Sequence, residues 1–427
     1  MKNTNRLQTF AFASVTAAFL LLAATAFSQS LPAPHEEKLL NGLKVLMWND
    51  AKSDKVSVKI RVHAGSAFDP QGKEGTMQLL ADDLFPNEAS REFFAEDLGG
   101  GLEIVTTYDY IQINATAKRE NLLTMLETLS TAISNPAIDK DTTAKVRSAL
   151  LAKLSVLEAD PAYVADQAVA KRLFGTFPYG RPQKGSTASV QKLEYADLID
   201  AKQRFLTADN STMTISGNFD RNLAFKAIRR YFGSWLKADR KVPSTFTQPD
   251  EPVTALLTIP SPKPEVAAMR GALRGVGRGG KDFGASQVLT RIVDARLKTG
   301  MATTSVDSLV VRNDPHVLPG SIIIGISSSQ GSISGVNGKM QPGDAAVKAF
   351  SDPITNSEFQ TALSQASADW AKRISEDFWL DADTFKTMSA DSDRSIFDKV
   401  ALEDVTNLAA RLQKMPIVTV LVYSPAK

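Results

Sequence analysis

The 427-residue chain contains no cysteine. That excludes thiolate nucleophiles, disulfide frameworks and every zinc site built on thiolates. Histidine is nearly as scarce: His35, His63 and His316 are the only three, and no two lie within a helical turn of each other. Any metal would have to rely on histidine and carboxylates. Charge of one sign is not in excess, since 49 Lys and Arg stand against 47 Asp and Glu for a net +2. No global field recruits a polyanion, so a polybasic, nucleic-acid-binding role is excluded. With 7 Tyr and 4 Trp there is no aromatic-rich recognition face. Beyond the first 26 residues no apolar run reaches the roughly 20 residues that span a bilayer. What remains, 43% hydrophobic and 22% charged residues, is the composition of an ordinary folded protein of about two domains.

The amino end has a plan of its own. Lys2 and Arg6 precede an apolar run from Phe10 to Ala26 that closes on Ala24-Thr25-Ala26, the layout of a cleaved secretory signal over residues 1–26. Ser14 and Thr16 interrupt the run, which argues against a permanent membrane anchor. No cysteine follows to accept a lipid. The expected product begins near Phe27 and is soluble, periplasmic or extracellular, with no stable membrane insertion.

Periodicity organises the rest. Asn41-Gly42 marks a turn, and Val56, Val58, Ile60 and Val62 alternate with polar residues, which predicts a sheet with one covered face. Helical character runs from Gly75 to Phe85 and from about Ser90 to Leu98, and a strand is expected through Tyr108–Thr116. Leu122, Leu126, Leu129 and Ile133 form an amphipathic helix stopped by Asn135-Pro136; further helices follow over 139–159, 162–173 and 224–235, with a short strand at 213–216. Pro243, Pro249 and Pro252 lie among polar residues over 241–253, a linker between domains at 27–240 and 254–427. Strands near 266–273, 321–327 and 416–423 and helices over 282–297 and 356–376 then repeat the first half in outline. Two sheet-and-helix units of similar order suggest an internal duplication rather than a short-period solenoid.

Three stretches carry a family resemblance: Leu39-Leu40-Asn41-Gly42-Leu43-Lys44-Val45-Leu46, then His63-Ala64-Gly65-Ser66-Ala67, then Gly72 through Phe85. Leu98-Gly99-Gly100-Gly101, Asp160-Pro161 and Pro178-Tyr179-Gly180-Arg181-Pro182 continue it. The chain resembles the pitrilysin/insulinase-type zinc peptidases, nearest in size to the mitochondrial processing peptidase group. The resemblance implies an α+β fold of two homologous domains, each an antiparallel sheet backed by helices, facing each other like halves of a shell. Active members of that family place H-x-x-E-H on a helix and a third ligand, Glu, on a later one. At the matching positions this chain has Gln78, Ala81 and Asp82, and Lys153 at the third ligand. An amide oxygen is a poor zinc donor, alanine is no general base, and an ammonium does not coordinate a cation. No metal and no cofactor are therefore expected.

An ion pair from Lys153 to Asp82 or Asp83 is expected to bridge the two helices, or else Lys153 extends to solvent. The resemblance also implies that Gly99, Gly100 and Gly101 admit a substrate backbone, the alternative being that they only end a helix, and that Arg296 ahead of Gly300-Met301-Ala302-Thr303 contacts substrate or is a surface residue. Gly275-Val276-Gly277-Arg278-Gly279-Gly280-Lys281 satisfies G-x-G-x-x-G, yet Asp282 follows where a phosphate loop needs Ser or Thr, so a plain loop is expected. The function so implied is a catalytically silent subunit that helps enclose peptide beside an active zinc-peptidase sibling, with no nucleic-acid partner. The alternatives are a residual metallo-endopeptidase using Asp82 and Asp83, or a stand-alone holdase of unfolded exported chains.

Overall fold

The computed structural model describes residues 32–238, 246–263, 265–301, 307–329 and 348–423. The predicted signal segment and residues 241–245 of the predicted linker lie outside them.

Strands β1 (His35–Lys38), β2 (Lys44–Asn49), β3 (Lys55–Val62), β4 (Gly101–Thr106), β5 (Ile111–Lys118) and β6 (Ser211–Gly217) form a six-stranded sheet in the order β1-β2-β6-β3-β5-β4. Gly42, at φ +93°, makes the predicted β1–β2 turn, a left-handed conformation that favours glycine. Around this sheet the chain forms α1 (Thr76–Asp83), α2 (Glu88–Glu92), α3 (Leu122–Ser134), α4 (Lys140–Glu158), α5 (Pro161–Phe174), α6 (Thr187–Val190), α7 (Tyr195–Phe205) and α8 (Arg221–Phe232). The second half contributes β7 (Leu257–Pro260), β8 (Ala267–Arg274), β9 (Ser308–Asp314), β10 (Ser321–Ser328) and β11 (Val418–Tyr423), ordered β7-β11-β8-β10-β9, with α9 (Phe283–Met301), α10 (Asn356–Ala371), α11 (Ser375–Phe385), α12 (Ala390–Arg394) and α13 (Leu402–Leu412). Each sheet is mixed: β2–β6 and β7–β11 are parallel and the other pairs antiparallel.

The alternating residues of β3 behave as predicted on one face. Val56, Val58, Ile60 and Val62 join Leu126, Leu129, Ala224 and Ile228 in the core under the first half's own helices. Each such large side chain contributes about 1.5–3 kcal/mol on burial. The opposite face departs from expectation. Arg61 is buried and Lys59 and His63 are largely covered, because α11 of the second half packs over them. Lys59 pairs with Asp377 at 2.5 Å, Lys44 with Asp383 at 3.0 Å, and Arg61 with Asp381 at 2.7 Å. His63 lies between Thr384 and Thr212, 3.0 Å from each hydroxyl, and burial, with the charges of Arg61, Lys386 and Lys44, pushes its pKa down to about 3 against the pull of Asp383. The ring is neutral at physiological pH.

The second sheet receives the converse contact. Ala165, Val169 and Leu173 of α5 pack with Ala268, Ala272, Ile323, Val418, Val420 and Val422. That explains the run Ile322-Ile323-Ile324: Ile322 and Ile324 face the second half's own helices, while Ile323 faces α5. Each half thus lends a helix to the other's sheet, one across an ionic seam and one across an apolar seam. The two halves, expected to face each other, meet through this packed, reciprocal contact.

Two local expectations are also corrected. Thr107 to Tyr110 is the turn of a β4–β5 hairpin rather than strand, closed by the Thr107 N–H on the Tyr110 carbonyl at 2.9 Å and by the Thr107 hydroxyl, which accepts the Asp109 and Tyr110 N–H groups. The helix expected over 356–376 ends at Ala371 and α11 starts afresh at Ser375; in the break between them Arg373 pairs with Asp381 at 2.7 Å.

Candidate functional site

Helix α1 begins at Gly75, which offers no side chain to cap it. Asp69 supplies the cap from the preceding loop, accepting the Gly75 N–H at 2.7 Å and the Met77 N–H at 2.8 Å. Burial pushes the Asp69 pKa up to about 7, against those two bonds and the nearby Arg181. Arg181 in turn donates to the Asp69 carbonyl at 2.7 Å, and the Lys184 carbonyl lies where a side chain on Gly75 would go. The loop after Pro178 therefore clamps the start of α1, and α1 lies against β4, α4 and α7.

On this helix Gln78 and Asp82, one turn apart, are engaged with each other: the Gln78 amide donates to the Asp82 carboxylate at 3.0 Å. Ala81 is fully buried. Lys153 on α4 is exposed and forms no ion pair with Asp82 or Asp83, so the predicted bridge is replaced by the solvent-directed alternative. Its charge nevertheless reaches Asp82. Burial raises the Asp82 pKa, and Lys153, the Gln78 bond, Arg91 and Lys184 oppose the rise in that order. Gln78, Asp82 and Lys153 thus come together, whereas Asp83 turns inward with only 1% exposure and neither oxygen bonded.

This donor set does not fit a zinc ion. Among the described residues no three His, Asp or Glu side chains converge as ligands. The neighbouring acid on α4, Glu158, is engaged by the Thr187 N–H and hydroxyl, both at 2.8 Å. His63 is in the ionic seam, and His316 sits 3.2 Å from Asp109 against the rings of Tyr108 and Tyr179.

The glycines do more than end a helix. Gly99 is left-handed at φ +67°, a side chain on Gly100 would overlap the Thr116 carbonyl, and Gly101 opens β4. Among the described residues β4 pairs only with β5 and stands at the margin of the sheet.

Arg296 is not available to substrate. It donates to Glu358 at 2.7 and 3.0 Å and to the carbonyls of Ala349, Asp352 and Pro353. Its bonds are the largest influence holding the Glu358 pKa down to about 2. Arg296→Ala is expected to cost about 2 kcal/mol in urea unfolding, the scale of hydrogen bonds to a charged group, and to leave peptide binding unchanged. Gly300 to Thr303 fall among residues whose side chains lie outside the described set.

The glycine-rich loop at 275–281 carries a residue that sequence reasoning passed over. Gly279 lies so close to the Phe385 carbonyl that a side chain would overlap it, and Arg278 enters the interior to bond Asp393 at 2.6 and 2.7 Å and Asp381 at 3.0 Å. The one available signal was an arginine flanked by glycines where the phosphate reading had failed.

Comparison with known proteins agrees with this geometry. Residues 44–186 match the insulinase family (peptidase family M16), and residues 192–299 match the peptidase M16 inactive domain. An uncharacterized zinc protease of Rickettsia bellii is 22% identical over 208 residues, 48% of this chain and 50% of that protein. The mitochondrial-processing peptidase subunit beta of Saccharomyces cerevisiae is 23% identical over 225 residues, 51% and 48% of the two chains. The match spans about half the length of these relatives. The crystal structure of a peptidase M16 inactive domain from Pseudomonas fluorescens superimposes with a TM-score of 0.76 at 17% identity, over 92% of this chain and 98% of that one. The chain is therefore a member of the insulinase (M16) peptidase family.

Proposed function

We propose that this chain is a non-catalytic member of its family, exported, and works as the silent partner of an active zinc-peptidase sibling whose peptide it helps to enclose. The observation that supports this most is the Gln78–Asp82 bond beside Lys153, which puts an amide, one carboxylate and an ammonium where an active relative needs two imidazoles and a carboxylate. With Ala81 at the remaining motif position there is no base to take a proton from water. The place of β4 at the sheet margin supports peptide enclosure, since an extended chain can add to an edge strand. The amino-end pattern supports export, and no helix among the described residues is long and apolar enough to cross a membrane. The domain division at 241–253 belongs to the same reading.

Metal analysis of the purified chain after incubation with zinc, paired with a peptide-cleavage assay with and without chelator, tests the proposal. The expected result is substoichiometric zinc and no chelator-sensitive cleavage by the lone chain, with both appearing only when a zinc-bearing sibling co-purifies. Stoichiometric zinc with chelator-sensitive cleavage by the chain alone would overturn it in favour of a residual metallo-endopeptidase.

A further inference from the structure

A cavity of about 380 Å³ lies in the second half, between the glycine-rich loop with the first turn of α9 on one side and the stretch from Thr387 to Asp404 on the other. It shares no residue with the Gln78–Asp82 site. Its ionic lining is uneven. All three acids in the wall are engaged: Asp282 holds Arg411 at 2.8 Å, Asp393 holds Arg278 at 2.6 Å, and Asp404 accepts the Ala401 N–H at 2.9 Å. Asp398 and Glu403, beside lining residues in the chain, do not line the cavity. Lys281 and Lys399 line it, are exposed, and form no ion pair or side-chain hydrogen bond with any described residue.

The same wall carries main-chain donors without acceptors. Asp282 stands where a cap would, yet its carboxylate pairs with Arg411, and the N–H groups of Gly284 and Ala285 in the first turn of α9 meet no acceptor among the described residues. Those of Lys281 and Asp282 meet none either. Across the cavity the Thr387 hydroxyl is buried with no partner. Unmet donors cost free energy that a bound acceptor recovers, and α9, 19 residues long, points the positive end of its dipole at the same place.

These features select the ligand. A phosphate monoester presents three terminal oxygens and a charge of about −2, which matches two ammonium groups and a fan of N–H donors better than a carboxylate does. The cavity is larger than a bare phosphate and falls in the range of small-molecule sites, roughly 300–1,000 Å³. Ala285, Ile396 and Val400 give it an apolar side. The missing Ser or Thr at 282 removes a magnesium ligand but none of these anion donors.

We propose that this cavity binds a small phosphate monoester, with the phosphate between Lys281, Lys399 and the start of α9 and the organic body against Ala285, Ile396 and Val400. Isothermal titration calorimetry of the purified chain with phenyl phosphate, inorganic phosphate and benzyl alcohol tests it. Phenyl phosphate is expected to bind saturably and more weakly as salt rises, inorganic phosphate to bind less tightly, and benzyl alcohol to show no saturation. Lys281→Ala combined with Lys399→Ala is expected to weaken phenyl phosphate by at least about tenfold. Asp282→Ala, which deletes a lining negative charge and frees Arg411, tightens it. Lys298→Ala, near the other end of α9, leaves the affinity unchanged, and urea unfolding of each variant reads folding apart from binding. No saturable binding of phenyl phosphate, binding no tighter than that of benzyl alcohol, or an affinity unmoved by the paired lysine change overturns the site. Inorganic phosphate binding as tightly as phenyl phosphate overturns the assignment to an ester.

Discussion

Asp381→Ala is expected to lower the stability of the protein by about 3–5 kcal/mol, the range for removing one partner from a buried ionic group. Asp381 is 5% exposed and receives three guanidinium groups: Arg61 at 2.7 Å, Arg278 at 3.0 Å and Arg373 at 2.7 Å. Asp393, 2% exposed, holds Arg278 from its other side. Burial works to raise the Asp381 pKa, yet Arg373, Arg61 and Arg278 together hold it below the ordinary carboxylate range. Its loss leaves three cations in one buried space with Asp393 as the nearest acid. Because Asp381 belongs to α11 and Arg61 to β3, the damage falls on the seam between the halves. Urea unfolding gives the size of the effect, and hydrogen exchange across 375–385 should accelerate in the variant. A loss under about 1 kcal/mol, the scale of an exposed ion pair, would show that the network is better hydrated than its burial implies.

The second large effect has the opposite sign. Asp83 is buried with neither oxygen bonded, and burial, reinforced by the charges of Asp139 and Asp82, raises its pKa to about 7. A carboxyl whose folded value lies above its unfolded value of 3.8 binds its proton more tightly in the folded protein. Folding is therefore favoured at low pH, and that contribution is lost as pH rises from about 4 to about 7. At about 1.4 kcal/mol per pH unit over roughly three pH units, the loss approaches about 4 kcal/mol. Asp83→Asn has no charge to lose and should open a stability lead that grows through this window and levels off above it. Asp83→Leu, which also removes the unbonded polar atoms, should be the more stable of the two at pH 8. Asp69 titrates in the same range but is present in every protein compared, so the difference isolates Asp83. A lead that does not vary with pH would mean that Asp83 is ionised and solvated.

Much of the framework was legible because its determinants are local. The valines of β3, the leucines of α3 and the Asp160-Pro161 start of α5 declare themselves within a few residues. What escaped depends on partners far along the chain. Lys59, Arg61 and His63 have the alternation of a solvated face, and only α11, some 320 residues later, turns that face into an interior. The break at Arg373 escaped as well, although its partner Asp381 lies only 8 residues on. At the site, the substitutions at 78, 81, 82 and 153 were visible from spacing and resemblance, and the Gln78–Asp82 bond follows from two residues four apart on one helix. The direction of Lys153 was not, because an exposed lysine on α4 and an inward one fit the same pattern of neighbours.

The exchange of helices between the halves also bears on how the molecule can move. Withdrawing α5 would strip an oily surface from β8 and β11 into water, and withdrawing α11 would strand Arg61, Lys59 and Lys44 without counterions. Neither half can swing away like a jaw without incurring both penalties at once. The two halves should therefore behave as one locked body, and among the described residues the margin of the first sheet at β4 lies outside that lock.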